Sequence, residues 1–136
     1  LLAAMALGSV MGASSQIIYV FLGIIGLPVF AGFKAGIGIL FGPTGGFLLG
    51  FIICAFIVGK IIELKDEKNI FYYLVAGLIG TIILYIIGIT QLSLVTGIGI
   101  KKAIVVGMLP FLPGDILKII AASFIASKLK LINQLK

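Results

Sequence analysis

Long apolar runs are the feature that most constrains this chain. Residues 1–27 carry no formal charge, and further apolar runs occupy residues 47–62, 70–89 and 103–126. Runs of this kind are typical of transmembrane helices, and they lack the alternation of a membrane barrel. With 62% hydrophobic and 10% charged residues, a soluble chain of this length could not bury its apolar surface. The sequence predicts an all-α integral membrane protein with a single transmembrane domain over residues 1–136.

The apolar runs also suggest where the helices lie. The predicted helices are, approximately, residues 1–8, 12–27, 46–62, 70–89 and 102–128. The first run is ambiguous, because residues 1–27 could instead form one long tilted helix. A polar patch at Gly8-Ser9 and Gly12–Gln16 provides the turn that a two-helix arrangement needs. Between residues 60 and 69, six charged residues predict a solvated turn.

A glycine-rich and proline-rich segment covers residues 28–46. Its composition disfavours a lipid-facing helix, and irregular backbone at membrane depth requires a protein cover or a cavity. Phe30, Phe33 and Phe41 favour a loop folded over a pocket; a plain exposed linker is the alternative. Gly42, Gly46 and Gly50 form a small-residue stripe, suited either to docking a partner or to internal helix packing.

The stretch Pro110-Phe-Leu-Pro-Gly-Asp-Ile-Leu-Lys118 places two charges inside the last apolar run. A charge at membrane depth costs at least ~2.5–3.5 kcal/mol and is rarely retained without a partner or a task. At i,i+3 spacing Asp115 and Lys118 can pair. Pro113 suits the first turn of a restarted half-helix, where the helix dipole favours Asp115. Broken helices of this kind are typical of ligand sites in transport proteins.

Three interpretations of the charged pair remain open on residues alone. The pair could bind a small polar ligand, Asp115 could serve an independent ion-coupled transporter, or the charges could merely neutralise each other and lock helix packing. Tyr85 could point its hydroxyl into a cavity or anchor at the interface. An enzyme is disfavoured, because the sequence offers no recognisable nucleophile beside the pair and no P-loop for ATP.

Charge and cysteine content limit the other possibilities. The net charge of +6 arises from lysines that flank the apolar runs, which indicates membrane topology rather than nucleic-acid binding. The side predicted to be cytoplasmic, with the C-terminus, carries Lys60, Lys65, Lys68, Lys128, Lys130 and Lys136; the other carries Lys34, Lys101 and Lys102. The single cysteine, Cys54, is expected to be a buried hydrophobe, and without histidine no metal site or cofactor is expected.

Three motifs together resemble a known family. They are Gly26-Leu-Pro-Val-Phe-Ala-Gly32, Gly42-Pro-Thr-Gly-Gly-Phe-Leu-Leu-Gly-Phe51 and Pro110–Lys118. In this order and spacing they resemble the BioY family, the biotin-binding S components of energy-coupling-factor (ECF) transporters in the plasma membrane. The resemblance covers nearly the whole chain. It implies a six-helix bundle, of which about four and a half helices are expected here, with the glycine-rich loop outside the cell.

The resemblance also implies a ligand, a site and partners. The ligand is biotin, held near the outer face, and the partners are a transmembrane coupling protein and a pair of ABC ATPases. The family's Asp and Lys match Asp115 and Lys118; further candidate contacts are Tyr85, Phe30, Phe33 and Thr44. Another vitamin is the alternative ligand.

The chain departs from the family pattern in two ways. The first helix and part of the second are expected to be absent, and that helix is implicated in docking to the coupling protein. Many relatives also carry Pro-Arg where this chain has Ser9-Val10. The resemblance favours two helices within residues 1–27.

Overall fold

The computed structural model describes residues 1–135, with all of their side chains except that of Ala31. It contains six α-helices: α1 (Leu2–Leu7), α2 (Ser9–Ile24), α3 (Gly45–Glu63), α4 (Ile70–Thr96), α5 (Gly99–Gly107) and α6 (Leu112–Gln134). Two short 3₁₀ turns, Ala31–Phe33 and Ile37–Phe41, lie between α2 and α3. No β-strand occurs in the described range. Lys136, counted in the lysine asymmetry, lies outside it.

Helix α4 lies beside three other helices. It packs against α3, α5 and α6, while α3 also contacts α2, and α1 contacts α2, α3 and α6. The main core joins α1, α3, α4 and α6 through small and medium side chains such as Ala4, Val58 and Ala76, all fully buried. Large apolar side chains cover the outward faces of the helices, as expected of surfaces that meet lipid.

Two of the helices, α3 and α4, are each long and apolar enough to cross a membrane. Helices α5 and α6 qualify together as a broken third span, bent by 55°. Helix α2 is apolar but shorter. The predicted helix over 102–128 is therefore two helices, because Pro110 and Pro113 cannot donate the backbone hydrogen bonds that would continue it.

The ambiguous first run contains two helices, α1 and α2, separated by Gly8 alone. Gly8 has φ 92°, which favours glycine. The two-helix arrangement is therefore the one observed, but the turn is shorter than expected and the polar patch at 12–16 lies within α2. Ser9 is fully buried, and its N–H and hydroxyl both donate to Glu63 Oε1 at 2.7 Å. Glu63 is thus a cap for α2 and not only part of a solvated turn.

Helix α4 continues to Thr96, beyond the predicted end at residue 89. Polar side chains beyond the predicted end are accommodated within the helix, because Thr90 donates to the Ile86 carbonyl at 2.6 Å and Thr96 to the Leu92 carbonyl at 2.5 Å. Asn69 caps the start of α4 by accepting the Tyr72 N–H at 2.9 Å, and Gly97 ends it in the left-handed conformation.

The glycine stripe of α3 serves internal packing. A Cβ atom at Gly46 would lie 2.9 Å from the Ile87 carbonyl oxygen, and one at Gly50 would lie 2.7 Å from Leu84 Cδ1. Glycine at these positions therefore lets α3 and α4 approach closely. The contacts at Gly46 and Gly50 therefore favour internal helix packing over docking of a partner.

Candidate ligand site at the broken helix

The break between α5 and α6 places Asp115 in the first turn of α6. Pro113 lies in that turn, and the Asp115 N–H donates to the Phe111 carbonyl at 2.9 Å. The predicted helix restart is therefore present. The positive end of the α6 dipole favours a carboxylate at this position.

Two side chains engage the Asp115 carboxylate. The Tyr85 hydroxyl of α4 donates a hydrogen bond to Oδ2, and Lys118 Nζ lies 3.7 Å from Oδ1. The Asp115 side chain is 19% exposed, whereas that of Lys118 is 77% exposed. The sequence predicts both charges at membrane depth; in the structure Asp115 is largely enclosed, whereas Lys118 is exposed. An exposed pair contributes only about 0–1 kcal/mol, so the pair is a weak structural lock.

Asp115 borders two cavities. The α4–α6 cavity, about 500 Å³, is lined by α4, α5 and α6 and is mostly apolar apart from Tyr85, Thr81, Thr90 and Asp115. The α2–α6 cavity, about 390 Å³, is lined by residues of α2, α3, α4 and α6, including Lys118. Both volumes fall in the range of small-molecule sites. Thr81 and Asp115 belong to both cavities.

The α2–α6 cavity contains polar residues that sequence reasoning missed. Gln16 and Tyr19 of α2 line it together with Thr81 of α4. The signal was present in the sequence, since Gln16 interrupts an apolar run, but the polar patch was interpreted as a turn. Tyr19 and Thr81 carried no distinguishing pattern.

The glycine-rich loop contributes to the site less directly than predicted. Phe30 is 4% exposed, and its ring packs edge-on against Tyr19 with centroids 5.7 Å apart. Phe33 is 87% exposed, and Thr44 is exposed at the start of α3. Phe30, Phe33 and Thr44 do not line either cavity at Asp115. The structure therefore brings together Asp115, Lys118 and Tyr85, but not the three loop candidates.

The loop is tied to α4 by Gln91, which lies beyond the predicted end of that helix but within the observed one. Gln91 Nε2 donates to the Leu40 carbonyl at 2.7 Å and to the Gly42 carbonyl at 2.9 Å. On the α2 side, the Gly36 N–H donates to the Gly23 carbonyl at 2.7 Å. These bonds hold the segment over the end of the bundle.

Comparison with known proteins gives a consistent result. A family model described as the BioY family matches residues 1–134. The biotin transporter BioY of Thermotoga maritima is 43% identical over 129 residues, which cover 95% of this chain and 75% of the relative. The probable biotin transporter BioY of Pyrococcus horikoshii is 39% identical over 130 residues, covering 96% and 75%.

A solved structure agrees with the sequence relatives. The crystal structure of the S-component for biotin from an ECF-type ABC transporter superposes with a TM-score of 0.83 at 28% identity, covering 95% of this chain and 70% of that one. This likeness confirms the predicted helical S-component fold. The relatives are named as transporters, in agreement with the expectation that the chain is not an enzyme. Motifs, fold and relatives thus lead to one conclusion: this chain belongs to the BioY family.

Proposed function

We propose that this chain binds biotin as the S component of an ECF-type vitamin uptake transporter. The observation that carries the proposal is the Asp115 carboxylate, held by Tyr85 and Lys118 between two cavities at a broken helix. The names of the relatives supply the ligand, since both the sequence relatives and the solved structure are described as proteins for biotin.

The chemistry of biotin suits these side chains. Its ureido group offers two N–H donors and a carbonyl, and its tail ends in a carboxylate. A carboxylate accepts only, so Asp115 fits the ureido N–H groups, while the Lys118 ammonium fits the carbonyl or the tail carboxylate. A site built this way rejects analogues that leave its polar groups unpaired.

The proposed binding set is centred on the α2–α6 cavity. Asp115 and Lys118 contact the ligand, and Tyr85 positions the carboxylate from the opposite side. Gln16 and Thr81 provide further hydrogen-bonding groups along the cavity wall. Tyr19 and Phe30 form an aromatic pair beside it, which suits the apolar ring of biotin.

The test is binding of radiolabelled biotin to the purified full-length protein in detergent. Asp115→Asn and Lys118→Ala each remove a charged hydrogen-bonding group, worth about 1.5–3 kcal/mol, so affinity should fall roughly 10- to 150-fold. Asp66→Asn and Lys101→Ala are matched controls, because both residues are exposed and line neither cavity. Wild-type affinity in both site variants refutes the site. Retained binding in Asp115→Lys/Lys118→Asp indicates a purely structural pair.

The partners and the orientation belong to the same proposal. We infer a transmembrane coupling protein and a pair of ABC ATPases as the source of energy, and a plasma-membrane location with a cytoplasmic C-terminus. Uptake into vesicles should then require the ATPases. Uptake that persists without them and follows an ion gradient would support the ion-coupled alternative instead.

A further inference from the structure

A third cavity lies at the opposite end of α6 from Asp115. It occupies about 340 Å³ between the turn before α4 and the C-terminal part of α6. The turn contributes residues 67–70, and α6 contributes residues between Ser127 and Gln134. It shares no lining residue with the two cavities at Asp115.

Three lysines line this cavity: Lys128, which is exposed, and two neighbouring lysines that are more buried. Lys68 comes from the turn and Lys130 from α6, and both side chains are half-buried. Lys130 Nζ is itself buried and has no hydrogen-bond partner among residues 1–135. A buried ammonium group without an acceptor is unfavourable, and a second cation beside it adds repulsion.

The carboxylates nearby do not neutralise the pair. Within the described residues the ion pairs are Lys60–Glu63 and Lys118–Asp115, and neither involves Lys68 or Lys130. Glu67 lines the cavity but is exposed, and Asp66 lies in the same turn. Partial burial, the larger cause, and the adjacent Lys130 ammonium lower the pKa of Lys68, although Asp66 acts in the opposite direction.

Other donors point to the same kind of ligand. The Asn69 side-chain oxygen is occupied by the Tyr72 N–H, which leaves its amide N–H groups as the free part of that side chain. Ile70, in the first turn of α4, also lines the cavity, and N–H groups in a first helical turn lack partners within the helix. The cavity therefore offers several donors around the Lys68 and Lys130 ammonium groups, neither of which forms an ion pair among the described residues.

We propose that this cavity binds a phosphate group through Lys68 and Lys130. A phosphate carries several acceptor oxygens and can accept from both ammonium groups at once. Its source is either the headgroup of an anionic lipid or a soluble phosphate. The cavity lies where the turn before α4 meets the C-terminal part of α6, at the end of the bundle that the lysine count assigns to the cytoplasm.

The experiment uses the full-length protein with two probes. Phosphatidylglycerol is titrated into protein held in a zwitterionic micelle, and bound lipid is counted by native mass spectrometry. Inorganic phosphate is added separately at constant ionic strength, and its effect on melting temperature is compared with chloride. The variant is Lys68→Gln/Lys130→Gln. The control is Lys101→Gln/Lys102→Gln, which makes the same charge change at exposed positions outside the cavity.

The two sources predict different results. If the ligand is a lipid, phosphatidylglycerol binding weakens roughly 30-fold in the cavity variant, at about fivefold per lysine, and is unchanged in the control. If it is a soluble phosphate, phosphate but not chloride raises the melting temperature, and the cavity variant loses that shift. The proposal is overturned if neither probe binds, or if both variants lose binding equally, which indicates general charge attraction. Retained circular dichroism in the cavity variant excludes misfolding as the cause of a loss.

Discussion

The hydroxyl of Tyr85, in the middle of α4, donates a hydrogen bond to Oδ2 of Asp115 at the start of α6. The two residues are far apart in the chain, and Tyr85 is buried in the core between α4 and α5. The bond engages Oδ2, whereas Lys118 Nζ lies beside Oδ1. One carboxylate oxygen of Asp115 is therefore bonded to α4, and the other lies 3.7 Å from Lys118 Nζ, which lines the α2–α6 cavity.

We expect Tyr85→Phe to weaken biotin binding about tenfold, because a hydrogen bond to a charged group contributes roughly 1.5 kcal/mol or more. Equilibrium binding of labelled biotin measures the change. Tyr72→Phe is the matched control, because the Tyr72 hydroxyl donates to the Ile61 carbonyl at 2.6 Å near the start of α4, away from Asp115. Equal affinity in the two variants would contradict a positioning role for Tyr85.

Gln91→Ala should release the loop that covers the bundle. It removes both side-chain hydrogen bonds to the Leu40 and Gly42 carbonyls, worth about 1 kcal/mol each. Hydrogen exchange of residues 36–44 should then accelerate roughly 30-fold. Thr90→Val serves as the control, since Thr90 bonds only within its own helix turn. Unchanged exchange over the loop in Gln91→Ala would show that other contacts hold it.

Gly23→Ala should destabilise the protein, although the same change inside a helix normally stabilises by about 0.5–1 kcal/mol. A Cβ atom at Gly23 would lie 2.0 Å from Phe30 Cζ, so the ring has to move. Overpacking of this kind costs about 1–3 kcal/mol. Thermal unfolding in detergent checks the sign.

The controls for Gly23→Ala separate the collision from a general effect of alanine. At Gly38 nothing lies within 4 Å of an added Cβ, so Gly38→Ala should leave the melting temperature nearly unchanged. Gly23→Ala/Phe30→Leu should recover part of the loss. A higher melting temperature in the Gly23→Ala single variant would contradict the close contact between Phe30 and Gly23.

Glu63→Ala should lower the melting temperature, because it removes the acceptor for two donors of the buried Ser9. A buried donor left without a partner is unfavourable. Asp66→Ala, in the exposed turn nearby, removes the same charge without such contacts and should have little effect. The prediction is wrong if Glu63→Ala and Asp66→Ala have the same melting temperature.

The sequence predicted the helical membrane fold and the broken last span because both depend on local properties. The length of each apolar run determines which helices can span the membrane. Pro110 and Pro113 lack a backbone N–H and therefore interrupt helical hydrogen bonding in any tertiary environment. Helix ends were less predictable. Thr90 and Thr96 were expected outside α4, but each satisfies its hydroxyl on a carbonyl four residues earlier, so the helix continues through them.

The candidate site was predictable where charge made it conspicuous. Asp115 and Lys118 stand out in an apolar run, whereas Gln16, Tyr19 and Thr81 face the cavity only because α2, α3 and α4 pack in a particular way. Aromatic content alone could not tell that Phe30 packs inward on Gly23 while Phe33, three residues later, remains exposed. Such distinctions arise from tertiary packing.

The contact between α1 and α6 has a consequence for biosynthesis. Of the six helices, α6 leaves the ribosome last, yet α1 packs against it as well as against α2 and α3. Contacts between distant parts of a chain form late, so the earlier segment stays partly unpacked until its partner has been synthesised. Until translation reaches α6, α1 lacks one of its neighbours and the Tyr85 hydroxyl lacks its acceptor on Asp115. Under the proposed site, a nascent chain stalled after α5 should therefore not bind biotin.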